Sequence, residues 1–163
     1  MSSNRKTQIV AQAGKQELFI SRVFNAPPEV VFRAFSTPDL LEQFFAPAGT
    51  TVKFDVADFR SGGKYRYTQC DANGNALAAF SGVIHEVTSP ERIIQTQEME
   101  GLPQAGHVVL EAMHFERISD NQTKLTIHDV CMSVADRDAI IESGMASGLT
   151  AIFDQLDEVL NGI

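Results

Sequence analysis

From Ser133 to Ile163 the apolar residues Ile141, Met145, Leu149, Ile152, Leu156 and Leu160 recur every three or four positions. That step predicts one long helix with a continuous apolar stripe. Ser133 and Asp136 have the spacing of a capping box, with Asp where Glu or Gln is usual, and they set negative charge against the positive end of the helix dipole. Gly144 and Gly148 stand near the stripe, and each costs about 1 kcal/mol relative to Ala inside a helix. Their presence predicts a close approach by backbone, ring or ligand.

Upstream the period changes to two. Glu17–Phe24 (ELFISRVF) alternates as a strand and stops at Asn25-Ala26-Pro27-Pro28, where Pro suits a first helical position. A short helix follows with Val30, Val31, Ala34 and Phe35 inward; Thr37-Pro38-Asp39 opens a second through Leu40, Leu41, Phe44 and Phe45, ended by Gly49. Strands are then expected at Thr51–Val56, Lys64–Cys70, Ala76–Val87, Arg92–Met99, His107–Ile118 and Thr123–Met132. Turn residues separate them, and Gly82 inside the third marks a bulge or bend. Met1–Gly14 shows no period and is expected to be a flexible lead-in to one domain over residues 15–163. Sequential strands with tight turns make an antiparallel sheet, and the striped helix must cover its concave face. The expected fold is therefore α+β: a curved sheet of about seven strands wrapped round a C-terminal helix, with the two short helices walling off a cavity.

Composition narrows the functions. Phe outnumbers Tyr eleven to two and Trp is absent, which suits a greasy interior. A net charge of −8 argues against nucleic acid and anionic membrane surfaces, both of which are bound through Lys/Arg patches. No apolar run is long enough to span a bilayer. The polar N-terminus lacks a signal-peptide core, and Cys70 and Cys131 lie outside any CxxC motif; a cytoplasmic protein with free thiols is expected.

Candidate chemistry is sparse. Strand parity puts Glu111 and Asp129 on one face with Met113 and Ile127, where inward carboxyls would have raised pKa values and could do acid–base work. The alternative is a rim position, or pairing with Arg22 or Arg66. His85, His107, His114 and His128 lack metal-site spacing, so no metal is expected; His114 and His128 fall on the outer face. Arg60 with Gly62-Gly63 reads as a turn rather than an anion loop, and Asp58 with Arg60 as a tie to adjacent strands. No nucleophile elbow occurs, and neither Cys has a His placed by sequence to serve it. No catalytic residue and no cofactor is assigned.

Across nearly the whole chain after the lead-in, several pieces match one family in order. They are Arg22-Val23-Phe24 with Ala26-Pro27; Val30, Phe32 and Ala34; Pro38-Asp39 and Phe44-Phe45; and Asp58-Phe59-Arg60, Gly62-Gly63 and Tyr65-Arg66. Gly82 with Glu86-Val87, Pro90-Glu91-Arg92-Ile93, Thr123-Lys124-Leu125-Thr126 and Gly144-Met145 with Gly148 follow. In these the chain resembles the START-like, or SRPBCC, superfamily with its helix-grip fold, and within it the family of the C-terminal domain of the heat shock protein 90 ATPase activator. Two departures touch the cavity: Leu149 stands where a Trp is common, and Gln97 where an aromatic is common. The resemblance implies a small hydrophobic ligand between sheet and helix. The residues expected to bind it are Phe32, Phe44, Phe45, Tyr65, Tyr67, Met113, Met145 and Leu149, with Glu111 as polar orienter. It also implies two alternatives: a protein-interaction role with a chaperone or a second copy in a homodimer, linked to stress, or a cyclase or dehydratase carried by Glu111 and Asp129.

Overall fold

The computed structural model describes residues 6–163. Its elements are β1 (Gln8–Val10), β2 (Glu17–Phe24), α1 (Pro28–Ser36), α2 (Pro38–Phe44), β3 (Thr51–Ala57), β4 (Lys64–Cys70), β5 (Ala76–Thr88), β6 (Arg92–Met99), β7 (Val109–Ser119), β8 (Gln122–Val130), α3 (Val134–Glu142) and α4 (Met145–Asn161). All eight strands join one antiparallel sheet in the order β1-β2-β8-β7-β6-β5-β4-β3. The helix-grip architecture expected from the sequence is present, with one strand more.

That strand is β1, inside the segment expected to be a flexible lead-in; residues 1–5 of that segment lie outside the described residues. Val10 pairs with Phe19 and Ile9 with Ile20, so Ile9 packs against the core. Three residues carry too little alternation to be read as a strand, and pairing with β2 decides the matter.

The C-terminal helix is two helices. Gly144 has φ 86° and separates α3 from α4. A left-handed glycine after the last turn is a common helix terminator, and Ser143 N–H bonds back to the Ala139 carbonyl. Ser133 accepts from the Asp136 amide at 3.0 Å, so the cap forms, but the Asp136 carboxylate turns to His107 Nδ1 at 3.0 Å instead of completing the box. Gly148 does not mark a close approach, since a Cβ there would meet nothing within 4 Å.

The core lies between the sheet's concave face and α1, α2 and α4. Pro28 and Pro38 start α1 and α2 where their missing N–H groups cost nothing. From α4, Ile152, Phe153, Leu156 and Leu160 are buried, and Phe153 meets Phe24 edge-on at 5.6 Å. Each such side chain contributes about 1.5–3 kcal/mol on leaving water. Arg22 of β2, also inward and only 5 % exposed, reaches Asp154 and Asp157 on α4 at 2.8 and 2.6 Å. It locks the helix to the sheet.

The β5 irregularity sits one turn of the pleat beyond Gly82. Register with β6 slips between Ile84 and Glu86, while Gly82 stays paired with Tyr65. Gly82 answers a different demand: a Cβ there would lie 1.9 Å from the Thr96 carbonyl oxygen and 2.7 Å from the Tyr65 hydroxyl. Only glycine lets these approach.

Candidate functional site

The strand period delivers the site. On β4, Tyr65 and Tyr67 both point inward; on β6 Gln95 and Gln97 follow the buried Ile93; on β7 Glu111 precedes Met113 and Phe115. Phe35 of α1, Leu41 of α2, Phe45 just beyond α2, Phe54 of β3 and Phe59 in the β3–β4 loop close the other side. Together they line a cavity of ≈ 40 Å³; with the open solvent at its mouth, the empty space among them comes to ≈ 410 Å³. The enclosed part has room for about one or two waters.

One wall is aromatic. Tyr67 lies nearly parallel to Tyr65 (6.3 Å between centroids) and to Phe80 (5.1 Å), and Phe45 meets it edge-on at 5.6 Å. Phe54 tilts against Tyr67 at 5.2 Å and touches Phe59 at 5.8 Å. The other wall is polar. Tyr65 donates its O–H to the Thr96 carbonyl at 2.6 Å, across the backbone that Gly82 leaves open. Gln97 Nε2 donates to the Tyr67 hydroxyl oxygen at 2.8 Å, and Gln95 Nε2 to Glu111 Oε1 at 3.0 Å.

Behind Glu111 stands Asp129, its direct cross-strand partner on β8. Both carboxyls point inward. Neither Arg22, held by Asp154 and Asp157, nor Arg66, held at the surface by Asp55 and Glu100, pairs with them. Burial raises the pKa of both, and Asp129, facing the Glu111 charge and hydrogen bond as well, rises well above the ordinary range. Hydrogen bonds from Asp129 and Gln95 hold Glu111 back. The pair therefore retains a shared proton that isolated carboxyls would lose. Asp129 Oδ1 is buried without a hydrogen-bond partner. Burial, and then the Glu111 charge, also pushes the Tyr65 and Tyr67 phenols upward. Among the described residues no Lys, Arg or His lines the cavity.

Of the residues expected to bind a ligand, Phe45, Tyr65, Tyr67, Glu111 and Met113 line this cavity. Phe32 and Phe44 are solid core, packed on Phe115 and Phe35 respectively. Met145 and Leu149 pack against the main core from α4 and do not line the cavity. Gln95, Phe35, Leu41, Phe54 and Phe59 join the lining. Gln95 shares parity with Gln97 along β6, the signal that could have found it; Phe59 sits in a loop, where no period speaks.

Elsewhere, one expectation is corrected. Asp58 and Arg60 bond to each other at 3.0 Å on the surface and tie the loop to no strand through their side chains. The loop is held by backbone instead, Gly62 N–H to the Ile84 carbonyl and Ile84 N–H to that of Gly63. His114 and His128 share the outer face as expected, on diagonal positions of β7 and β8: His128 faces Ala112, stacks on Phe19 at 4.3 Å and meets Glu17 at 2.6 Å. Among the described residues no group of three or more His, Cys, Asp or Glu could hold a metal. No helix of the described residues is long and apolar enough to cross a membrane.

An open antiparallel sheet gripping a C-terminal helix, with a cavity between the sheet and the α1–α2 side, defines a START-like, or SRPBCC, domain. The family described as "Activator of Hsp90 ATPase homolog 1-like protein" matches residues 25–161, and the chain belongs to it. Solved structures share the fold. A protein from Rhodobacter sphaeroides is 23% identical with TM-score 0.85, over 97% of this chain and 99% of that one. One from Chromobacterium violaceum is 27% identical with TM-score 0.77, over 89% and 96%. One from Nitrosomonas europaea is 26% identical with TM-score 0.78, over 93% and 97%. No curated protein matches the sequence.

Proposed function

We propose that this domain binds a small, largely apolar ligand in the cavity between β4–β7 and the α1–α2 side. The observation that carries the reading is an inward-facing aromatic wall set against a few convergent polar groups, the usual make-up of a ligand pocket. The enclosed volume is far below the roughly 300–1,000 Å³ of ordinary ligand sites, so entry requires rings to move. Phe45 and Phe59 are the movable ones, since both are half-buried and lie outside regular elements. Native mass spectrometry of gently purified protein, followed by extraction, tests this. The expected result is a discrete bound molecule that Gln97→Trp, which fills the cavity, expels while the circular dichroism stays native. Retention of the molecule by that variant overturns the reading.

Two other functions rank below it. The family description, together with exposed apolar side chains on the sheet's outer face such as Phe19, Leu110 and Val130, favours a protein-interaction role with a chaperone or a second copy. Absence of any shift on titration with the chaperone, and a monomeric mass, would remove it. The inward Glu111–Asp129 pair is the group that a cyclase or dehydratase on a hydrophobic substrate would use. It ranks last because the pair is its one support.

A further inference from the structure

The chemical class of that ligand follows from what the polar wall lacks. Gln95 and Gln97 each spend one amide hydrogen, on Glu111 and Tyr67, and Tyr65 spends its hydroxyl on Thr96, which leaves the Tyr67 hydroxyl and one hydrogen on each amide as neutral donors; the ionisable carboxyl on this wall is Glu111. Acceptors remain on Glu111 and on both glutamine carbonyls, and behind them the buried Asp129 Oδ1 has no partner. Among the described residues no cationic side chain lines the site. Arg22, the buried arginine on the same concave face, is committed to Asp154 and Asp157. Aromatic and aliphatic side chains make up the rest of the lining.

Resting on the ligand-binding reading, we infer that the cavity recognises an organic cation, a primary amine or amidine on a small aromatic or aliphatic body. Its N–H groups bond to Glu111, and its apolar body lies against Tyr67 and Phe54. The ammonium takes over the role of the proton that Glu111 and Asp129 otherwise share. Binding then displaces that proton to solvent, and apparent affinity rises with pH until the pair is ionised in the free protein. The other titratable groups facing the pair are the Tyr65 and Tyr67 phenols from β4 and the Cys131 thiol after β8, each pushed upward by burial. They stay protonated across this range. The protein's net charge of −8 adds a general attraction for cations.

The test compares benzylamine with its neutral isostere benzyl alcohol, by two-dimensional NMR titration and by calorimetry in buffers of different ionisation enthalpy. Benzylamine is expected to bind about tenfold tighter, as a charge-assisted hydrogen bond in place of a neutral one allows. It should shift the Gln95 and Gln97 side-chain amides and release a proton on binding. In Glu111→Gln the preference is expected to fall toward one. Equal or tighter binding of the alcohol, or no proton release, overturns the cation inference and leaves the ligand-binding reading standing. Binding of neither probe at millimolar concentration overturns the inference, while a co-purified neutral molecule would still support the broader reading.

Discussion

At the scale of single residues, Glu111 and Asp129 are the most consequential side chains, because the fold spends free energy to keep them together. Their pKa values are raised in the folded protein, so the native state holds protons that the unfolded chain loses. Stability from this source is complete below the ordinary carboxylate range. It falls as pH rises from there through the raised folded values. Asp129→Asn removes much of this slope, and urea midpoints measured from acid to neutral pH should decline less steeply in the variant than in the parent. A parallel decline in both would show that the pair is not the source. The parity that placed both carboxyls inward was readable along β7 and β8. That Gln95, rather than an arginine, would face Glu111 was not, because it depends on which residues of β6 and β7 lie opposite each other.

Glycines decide matters at the scale of elements, and they do so differently at three places. Gly144 takes a left-handed conformation that L side chains adopt at a cost of about 1–2 kcal/mol, so Gly144→Ala is expected to destabilise by about that amount in urea. Gly148 lies inside α4 with open space where a Cβ would go, and Gly148→Ala is expected to stabilise by about 0.5–1 kcal/mol. Opposite signs in one denaturation series would separate terminator from interior. Gly82→Ala would drive a Cβ into the Thr96 carbonyl, part β5 from β6 and release the Tyr65 hydroxyl; a loss of amide protection at both strands is the readout. From sequence, two glycines four apart in a striped segment look alike, because periodicity reports which residues are apolar and not the backbone angle between them.

For the whole molecule, the grip depends on a buried cation. Arg22 joins the second strand to the last helix, across more than 130 positions of chain, through Asp154 and Asp157. Arg22→Met removes both ion pairs that join β2 to α4 and is expected to lower the urea midpoint.

The alternation of strands, the proline-led short helices and the striped C-terminus determined the α+β class, seven of the eight strands and the inward parity of Tyr65 and Tyr67, and put Glu111 and Asp129 on one parity with a rim position still open. Each of these rests on a local period, and burial acts on one face of a local element. Tertiary structure alone decided the short first strand, the break at Gly144, the partners of Arg22, the withdrawal of Phe32 and Phe44 into the core and the place of Met145 and Leu149 against the core, away from the cavity. These depend on which distant segments meet, at distances set by packing and by ladder register. A residue's hydrophobicity shows that it will be buried; only its neighbours show whether it is buried against protein or against a cavity.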